Sequence, residues 1–203
     1  VGLWVRPTQR KSTGWQSLIY KGNTSNGSYG RNYGLAIKPG TMTLHYALDI
    51  CDGSSTTPIS HIDATAGDLI ENAWNHLLMT YDGNEVVVYI NGSKSASTSR
   101  KGYACLTTTP IRLGFDGSSN YFAGEMDEVT VAISPLSAGD VAKLASYQAG
   151  WFDTSVGRTI VIDSDQLTVR LDVATDILKL EDRILAIYAS DRTSAIDRVE
   201  YRI

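Results

Sequence analysis

The feature that most constrains the fold of this chain is a run of β-branched residues with a turn signal at each end. The run covers Asn84–Ile90, and it lies between the dipeptides Asp82-Gly83 and Asn91-Gly92. Both dipeptides accept the positive φ angles that tight hairpin turns require. With Trp74–Tyr81 as the preceding strand, this block predicts an antiparallel meander of strand, turn, strand and turn.

Short segments separated by turn signals continue along most of the chain. Besides the two strands above, we predict strands at 3–7, 16–21, 33–38, 42–48, 59–62, 111–115 and 124–133. Ser137–Tyr147 differs, because Ser137 is placed to cap and Asp140 stands at the third helical position. The pattern predicts an all-β fold, an antiparallel two-sheet sandwich with one short helix.

Four segments carry a family resemblance when they are taken in order. They are 73–83, 86–92, Ile111-Arg112-Leu113-Gly114 and 122–131, the last containing Asp127-Glu128-Val129. Together they resemble the laminin-G-like domains of the concanavalin A-like lectin/glucanase fold, over roughly Leu3 to Gln148. The resemblance implies a jelly roll that serves binding or adhesion more often than catalysis. It also implies a further strand before Leu3.

The composition changes after Gly150. All 5 prolines and 17 of the 18 glycines precede Trp151, and strand-like alternation follows at 159–163, 167–173, 184–190 and 197–203. Residues 185–203 resemble part of a bacterial immunoglobulin-like repeat. We therefore divide the chain into a jelly roll (1–150) and a partial immunoglobulin-like β segment (151–203). Four strands cannot close a sandwich, so we expect this segment to join another sheet or a second copy, with Asp197–Ile203 as the joining strand.

Overall composition excludes two classes of partner. The formal net charge is −4, whereas nucleic-acid binding requires a concentrated basic face. No apolar run approaches the roughly 20 residues that span a bilayer, so membrane insertion is not expected. Cys51 and Cys105 leave two interpretations open: two small buried thiols, or one disulfide of a secreted protein.

The strand Gly124–Ile133 carries the candidate chemistry. Glucan-cleaving enzymes of this fold place a third carboxylate after a Glu-x-Asp pair, but Val129 and Thr130 follow Glu125 and Asp127. This pattern argues against an enzyme. By the same resemblance, Asp127 is the predicted ligand of a structural Ca²⁺, which takes 6–8 oxygen ligands.

Other polar residues have simpler interpretations. Four aspartates, at positions 49, 52, 82 and 116, stand beside turn glycines, where Asp bonds its own backbone. His76 lies in a predicted strand and is expected to be packed and hydrogen-bonded. Exposed aromatic rings stack on sugars, and the predicted ligand contacts are Trp15, Tyr29, Tyr33, Tyr103 and Tyr121.

These observations together predict an extracellular or surface-exposed, non-catalytic module for binding or adhesion, with a glycan or a surface protein as partner. The alternative is a structural role in a surface filament, a surface layer or a virus particle. In that case the β segment at the end of the chain would pair with a neighbouring copy, giving a homo-oligomer.

Overall fold

The structure is a computed structural model that describes residues 1–22, 31–53 and 57–146, together with the backbone of one strand at 185–187. The described strands form two antiparallel sheets, with one short helix beside them. The predicted sandwich and helix are confirmed. Part of the predicted C-terminal β segment lies outside the described residues.

Twelve strands and one helix make up the described fold. Their bounds are β1 Gly2–Pro7, β2 Gln16–Gly22, β3 Arg31–Ile37, β4 Thr43–Cys51, β5 Ser60–Asp68, β6 Asn75–Tyr81, β7 Glu85–Ile90, β8 Ser93–Ser99, β9 Tyr103–Ala104, β10 Ile111–Leu113, β11 Gly124–Val131, α1 Ala138–Ser146 and β12 Leu185–Ile187. One sheet has the order β12-β11-β1-β6-β7-β8. The other has the order β10-β2-β3-β4-β5, with β9 paired to β4.

The core lies between the two sheets and follows the period-two alternation of strand side chains. In β4, Leu44, Tyr46, Leu48 and Ile50 all point inward and are almost completely buried. The residues between them face the other side of the sheet. This alternation gives the second sheet an outer face of its own, on which the candidate site is built.

Two strands break the alternation. A register shift in β2 lies between Ser17 and Ile19, so that Leu18 and Ile19 both join the core. Strict alternation would place these two neighbouring residues on opposite faces. In β11, Glu128 adopts φ 49°, and the pairing with β1 shifts by one residue around it.

The helix packs on the outer face of the first sheet. Ser137 Oγ accepts the Asp140 backbone N–H at 3.2 Å and donates to the Asp140 carboxylate at 2.6 Å. This is the N-terminal cap that the sequence predicts. Val141 is fully buried against Leu78 and Tyr89.

Both predicted hairpin turns form, each with its own geometry. Asn91 and Gly92 both have positive φ, 50° and 78°. At the other turn only Gly83 does, and Asp82 Oδ1 instead accepts the backbone N–H groups of Asn84 and Glu85 at 2.8 Å.

Cys51 and Cys105 form a disulfide, with their Cα atoms 5.0 Å apart. Cys51 ends β4, and its pairing with Tyr103 in β9 brings the second cysteine close. The Cys105 backbone N–H also donates to the Asp49 carbonyl at 3.0 Å. The bond therefore ties the loop after β9 to the end of β4.

Strands β5 and β8 differ from the sequence prediction. Strand β5 extends to Asp68 rather than ending at Ile62, and the serine-rich strand β8 was not predicted. Both are rich in polar and small residues, so hydrophobic alternation gives little signal. At the edge of the first sheet, Leu185–Ile187 pairs with Val129–Val131 of β11, whereas the expected joining strand, Asp197–Ile203, lies outside the described residues.

Candidate ligand-binding site

The outer face of the second sheet has a floor of small residues. Cross-strand pairing places Gly34 beside Ala47 and Ala36 beside His45. Tyr20 covers Gly34, whereas Ala36 lines an open space with longer residues around it.

A pocket of about 390 Å³ opens on this face. It is lined by Trp15, Ser17, Tyr20, Arg31, Ala36, His45, Asp63, Asp116, Ser118 and Asn120. These residues come from four neighbouring strands and from the loops before β2 and after β10. Two aromatic rings beside converging polar groups are typical of a small-ligand site.

Asp63 is the centre of the polar wall on one side. Its Oδ2 accepts a hydrogen bond from Arg31 Nη2 at 2.8 Å, and its Oδ1 lies in very short contact with His45 Nε2. Burial opposes ionisation of Asp63, but the hydrogen bonds from His45 and Arg31 outweigh burial and lower its pKa. Burial lowers the pKa of His45, so its ring is neutral near pH 7. The Asp63 side therefore carries one carboxylate, one guanidinium and a neutral imidazole.

Asp116 organises the opposite wall through its own loop. Its Oδ1 accepts the Ser118 backbone N–H at 2.9 Å and the Ser118 hydroxyl at 3.0 Å, and its Oδ2 accepts Asn120 Nδ2 at 2.5 Å. Burial raises the pKa of Asp116, but these hydrogen bonds outweigh burial and lower it. This is the turn chemistry that the sequence predicts for this aspartate, and here it also shapes a pocket wall.

The aromatic residues are held from both sides of the pocket. The backbone N–H of Trp15 donates to Asn120 Oδ1 at 3.2 Å, and the Trp15 ring meets His45 edge to face, with centroids 4.8 Å apart. Tyr20 lies over Gly34, where a Cβ would approach the tyrosine ring to 3.4 Å. Burial raises the pKa of Tyr20, so its hydroxyl stays protonated and can donate.

Of the five aromatics predicted to contact a ligand, the structure places Trp15 in this pocket. Tyr33 packs against the core, where burial raises its pKa to about 12, so its placement does not support a stacking role. Tyr103 is well exposed but lies beside the disulfide, and Tyr121 stacks on Phe115 next to the pocket. Tyr29 lies outside the described residues.

The predicted calcium ligand has a local partner. Asp127 Oδ1 accepts the backbone N–H of Glu128 at 2.8 Å. Across the described ranges, no group of three or more His, Cys, Asp or Glu residues converges as a metal site would require. Calcium at Asp127 therefore stays a prediction. Thermal melts with calcium and with a chelator would test it, with Asp127→Ala as the matched variant.

His76 is packed as predicted, but its hydrogen bonding differs from the prediction. The residue is 2% exposed, and its ring lies 5.3 Å from the ring of Trp4. Among the described side chains, His76 Nδ1 and Trp4 Nε1 are buried without a hydrogen-bond partner. Burial lowers the pKa of His76 to about 4.

The polar residues of the pocket were the ones that sequence reasoning missed. Arg31, His45 and Asp63 belong to no motif, and Asp63 lay beyond the predicted end of its strand. One signal was available in β4. His45, Ala47 and Asp49 alternate with large core residues, so a strand of the sandwich carries small and polar residues on its other face.

Comparison with known proteins supports the fold seen here. A family model described as the concanavalin A-like lectin/glucanases superfamily matches residues 1–142 of the 203-residue chain. The chain belongs to this superfamily. The predicted resemblance to laminin-G-like domains is therefore confirmed for residues 1–142, which we call the lectin-like domain. The immunoglobulin-like resemblance falls mainly on residues outside the described ranges.

One curated relative is the adhesion G-protein coupled receptor V1 of Danio rerio. It is 28% identical to this chain over an alignment of 158 residues, and the match covers 73% of this chain. The match spans only 2% of that receptor's length. No helix of the described residues is long and apolar enough to cross a membrane.

Two solved structures share the fold with the lectin-like domain. Domain 4 of AbnA, a GH43 extracellular arabinanase from Geobacillus stearothermophilus, in complex with arabinotriose, has a TM-score of 0.51 and 21% identity, covering 71% of this chain and 65% of that one. The Ruminococcus gnavus IT-sialidase CBM40 bound to α2,6-sialyllactose also has a TM-score of 0.51, with 16% identity, covering 71% of this chain and 81% of that one. At these identities the two structures show the fold alone.

Proposed function

We propose that this domain is an extracellular, non-catalytic binding module that holds a glycan in the pocket on the outer face of its second sheet. The observation that carries the proposal is the pocket itself. It joins Trp15 and Tyr20 to a hydrogen-bonded set of Arg31, His45 and Asp63 above a floor of small residues. Sugars need both parts, since their C–H faces stack on rings and their hydroxyls bond to paired polar groups.

The state of Arg31 supports a ligand at this place. Among the described residues its buried Nε has no hydrogen-bond partner, although its Nη2 donates to Asp63. A buried donor without an acceptor is costly. The Arg31 side chain is 20% exposed and lines the pocket, so its guanidinium is placed to donate to a hydroxyl oxygen of a bound sugar.

The carboxylates of β11 support a non-catalytic role. Glu125 is engaged by Arg6, whose Nε donates to Glu125 Oε2 at 2.8 Å, and Asp127 accepts the backbone N–H of Glu128. Val129 stands where glucan-cleaving enzymes of this fold carry a third carboxylate. The shared fold with two proteins solved with bound oligosaccharides adds an argument by analogy.

A glycan array that compares the wild-type protein with Trp15→Ala tests the proposal. Trp15→Ala should abolish binding, because the ring forms the aromatic wall of the pocket. The matched control is Tyr103→Ala, which removes an exposed ring near the far end of β4, about 20 Å along the strand from His45. Tyr103→Ala should bind as the wild type does.

Two outcomes would contradict the proposal. One is a wild-type protein that binds no glycan on an array that includes arabinans, sialylated glycans and neutral hexose oligomers. The other is binding that survives Trp15→Ala and is lost in Tyr103→Ala, which would move the site to the disulfide end. Melting temperatures of both variants verify that each is folded.

Assembly through strand contacts is the second candidate. The single favourable observation is that the edge of β11 accepts another strand, β12, in antiparallel pairing. In the structure this pairing is made within one chain. Light scattering across a range of protein concentrations tests the candidate, since strand exchange between copies would give a concentration-dependent dimer or filament.

A further inference from the structure

The charged groups of the pocket are already paired with one another. The charged residues that line it are Arg31, Asp63 and Asp116, a formal sum of −1. Arg31 is the one cation among these lining residues, and its Nη2 is engaged by Asp63 at 2.8 Å. Among the residues that line the pocket, an incoming anion would therefore meet no cation that is free of a carboxylate.

Asp63 stays ionised because two donors hold it. Each of its oxygens has a partner, Arg31 on one and His45 on the other, and its side chain is still 39% exposed. A ligand beside Arg31 therefore also lies beside this carboxylate. A second carboxylate there would lie a few ångströms from Asp63, where like charges repel each other strongly at the edge of a protein.

The loop between β2 and β3 does not alter this charge pattern. Residues 23–30 have the sequence Asn-Thr-Ser-Asn-Gly-Ser-Tyr-Gly, which contains no Lys, Arg, His, Asp or Glu. The neighbouring cation Arg112 is directed elsewhere, since its Nη1 donates to the Gly22 carbonyl at 3.2 Å.

We propose that the pocket selects uncharged sugars and rejects sugars that carry a carboxylate, and that Asp63 determines this selectivity. The inference rests on the proposed function and adds the chemical class of the ligand. Hydroxyl groups can accept from Arg31 and donate to Asp63 or Asp116 at the same time. The carboxylate of a uronic acid or a sialic acid can only accept hydrogen bonds. It would therefore need Arg31 as a donor without the carboxylate of Asp63 beside it.

NMR titration tests the inference by measuring the ratio of the affinity for a neutral sugar to the affinity for its uronic acid. The probes are the methyl glycosides of glucose, galactose and mannose, each beside its uronic acid and the methyl ester of that uronic acid. The wild type should bind the best neutral sugar at least tenfold more tightly than its uronic acid. The methyl ester should recover much of the affinity that the uronic acid loses, because it has nearly the same shape without the charge.

Asp63→Asn should abolish the preference by removing the repelling charge. We expect the ratio of neutral to acidic affinity to fall at least tenfold in this variant. The matched control is Asp68→Asn, which removes the same charge from the same strand about 17 Å away, where Asp68 bonds to the Thr43 hydroxyl. Asp68→Asn should leave the ratio unchanged.

If Asp63→Asn does not fold, the salt dependence of binding to the wild-type protein tests the inference instead. Raising the salt concentration screens charge repulsion. Affinity for the uronic acid should therefore rise with salt, while affinity for the neutral sugar should stay constant.

The failure of this inference is distinguishable from failure of the proposed function. Equal or tighter binding of the uronic acid, lost in Trp15→Ala, would overturn the charge selectivity and leave the glycan site standing. An affinity for the uronic acid that falls with salt would do the same. The absence of binding to every probe and to the whole array would overturn both.

Discussion

At the residue scale, Gly92 shows how closely the helix approaches the sheet. It adopts φ 78°, and a Cβ there would lie 3.0 Å from Ala145 Cβ and 3.3 Å from Ala142 Cα. The glycine therefore serves two purposes: it permits the turn after β7, and it leaves room for α1.

We expect Gly92→Ala to destabilise the fold by about 2 to 3 kcal/mol, from backbone strain and displacement of the helix. Gly14→Ala is the matched control, because Gly14 has φ 77° and open space around it. The control should lower the free energy of unfolding by about 1 kcal/mol, through backbone strain alone. Urea unfolding of both variants measures the difference, and equal losses would contradict the contact with the helix.

The second residue-scale prediction concerns His76, whose pKa burial lowers to about 4 from 6.5. The folded protein excludes a proton that the unfolded chain binds below pH 6.5, so stability is lost as the pH falls from 6.5 to 4. The loss from this residue alone amounts to about 3 kcal/mol.

Urea unfolding between pH 7 and pH 4 tests this prediction in the wild type and in His76→Phe. The variant keeps a ring in the same space and does not titrate, so its stability should fall by about 3 kcal/mol less over this range. Parallel curves for the two proteins would show that His76 becomes protonated without cost in the folded state.

At the scale of elements, the position of α1 depends on its first turn and on one buried side chain. Ser137 satisfies a backbone N–H at the N-terminus, and Val141 is the residue that the helix buries completely. A helix of nine residues is too short to be stable alone in water, so both contacts decide whether it forms.

Ser137→Ala should therefore cost about 1 kcal/mol, because it removes the cap. Ser146→Ala is the control at the other end of the same helix, where the serine hydroxyl donates to the Lys143 carbonyl at 2.6 Å. We expect only a few tenths of a kcal/mol there, since that carbonyl can bond to water. Thermal unfolding of the pair checks the prediction, and a larger loss in Ser146→Ala would contradict it.

At the scale of the whole molecule, one covalent bond encloses the middle strands of the sandwich. The Cys51–Cys105 disulfide joins residues 54 positions apart, and that interval contains β5 to β9. In the chain-entropy model, closing a loop of this length stabilises the folded state by about 4 kcal/mol.

Reduction should lower the free energy of unfolding by about that amount, and Cys51→Ala with Cys105→Ala should match the reduced wild type. Denaturant unfolding with and without reductant measures the change. The native, unreduced protein should show no alkylatable thiol by mass spectrometry. Two alkylatable thiols, or identical unfolding midpoints, would show that the bond contributes nothing in solution.

The sequence by itself determined the parts of this protein that depend on local chemistry. The Asn91-Gly92 turn, the cap at Ser137 and the alternating strands β4 and β7 follow from backbone preferences and side-chain period, which act over a few residues. The order of these segments was also sufficient to identify the laminin-G-like family.

Only the tertiary structure decided where the candidate site lies. Arg31, His45 and Asp63 are separated along the chain, and it is the register between β3, β4 and β5 that makes them neighbours. The same pairing turned Tyr33 inward and left Trp15 at the pocket. Cross-strand register depends on the packing of both sheets around a common core, and no short stretch of sequence contains that information.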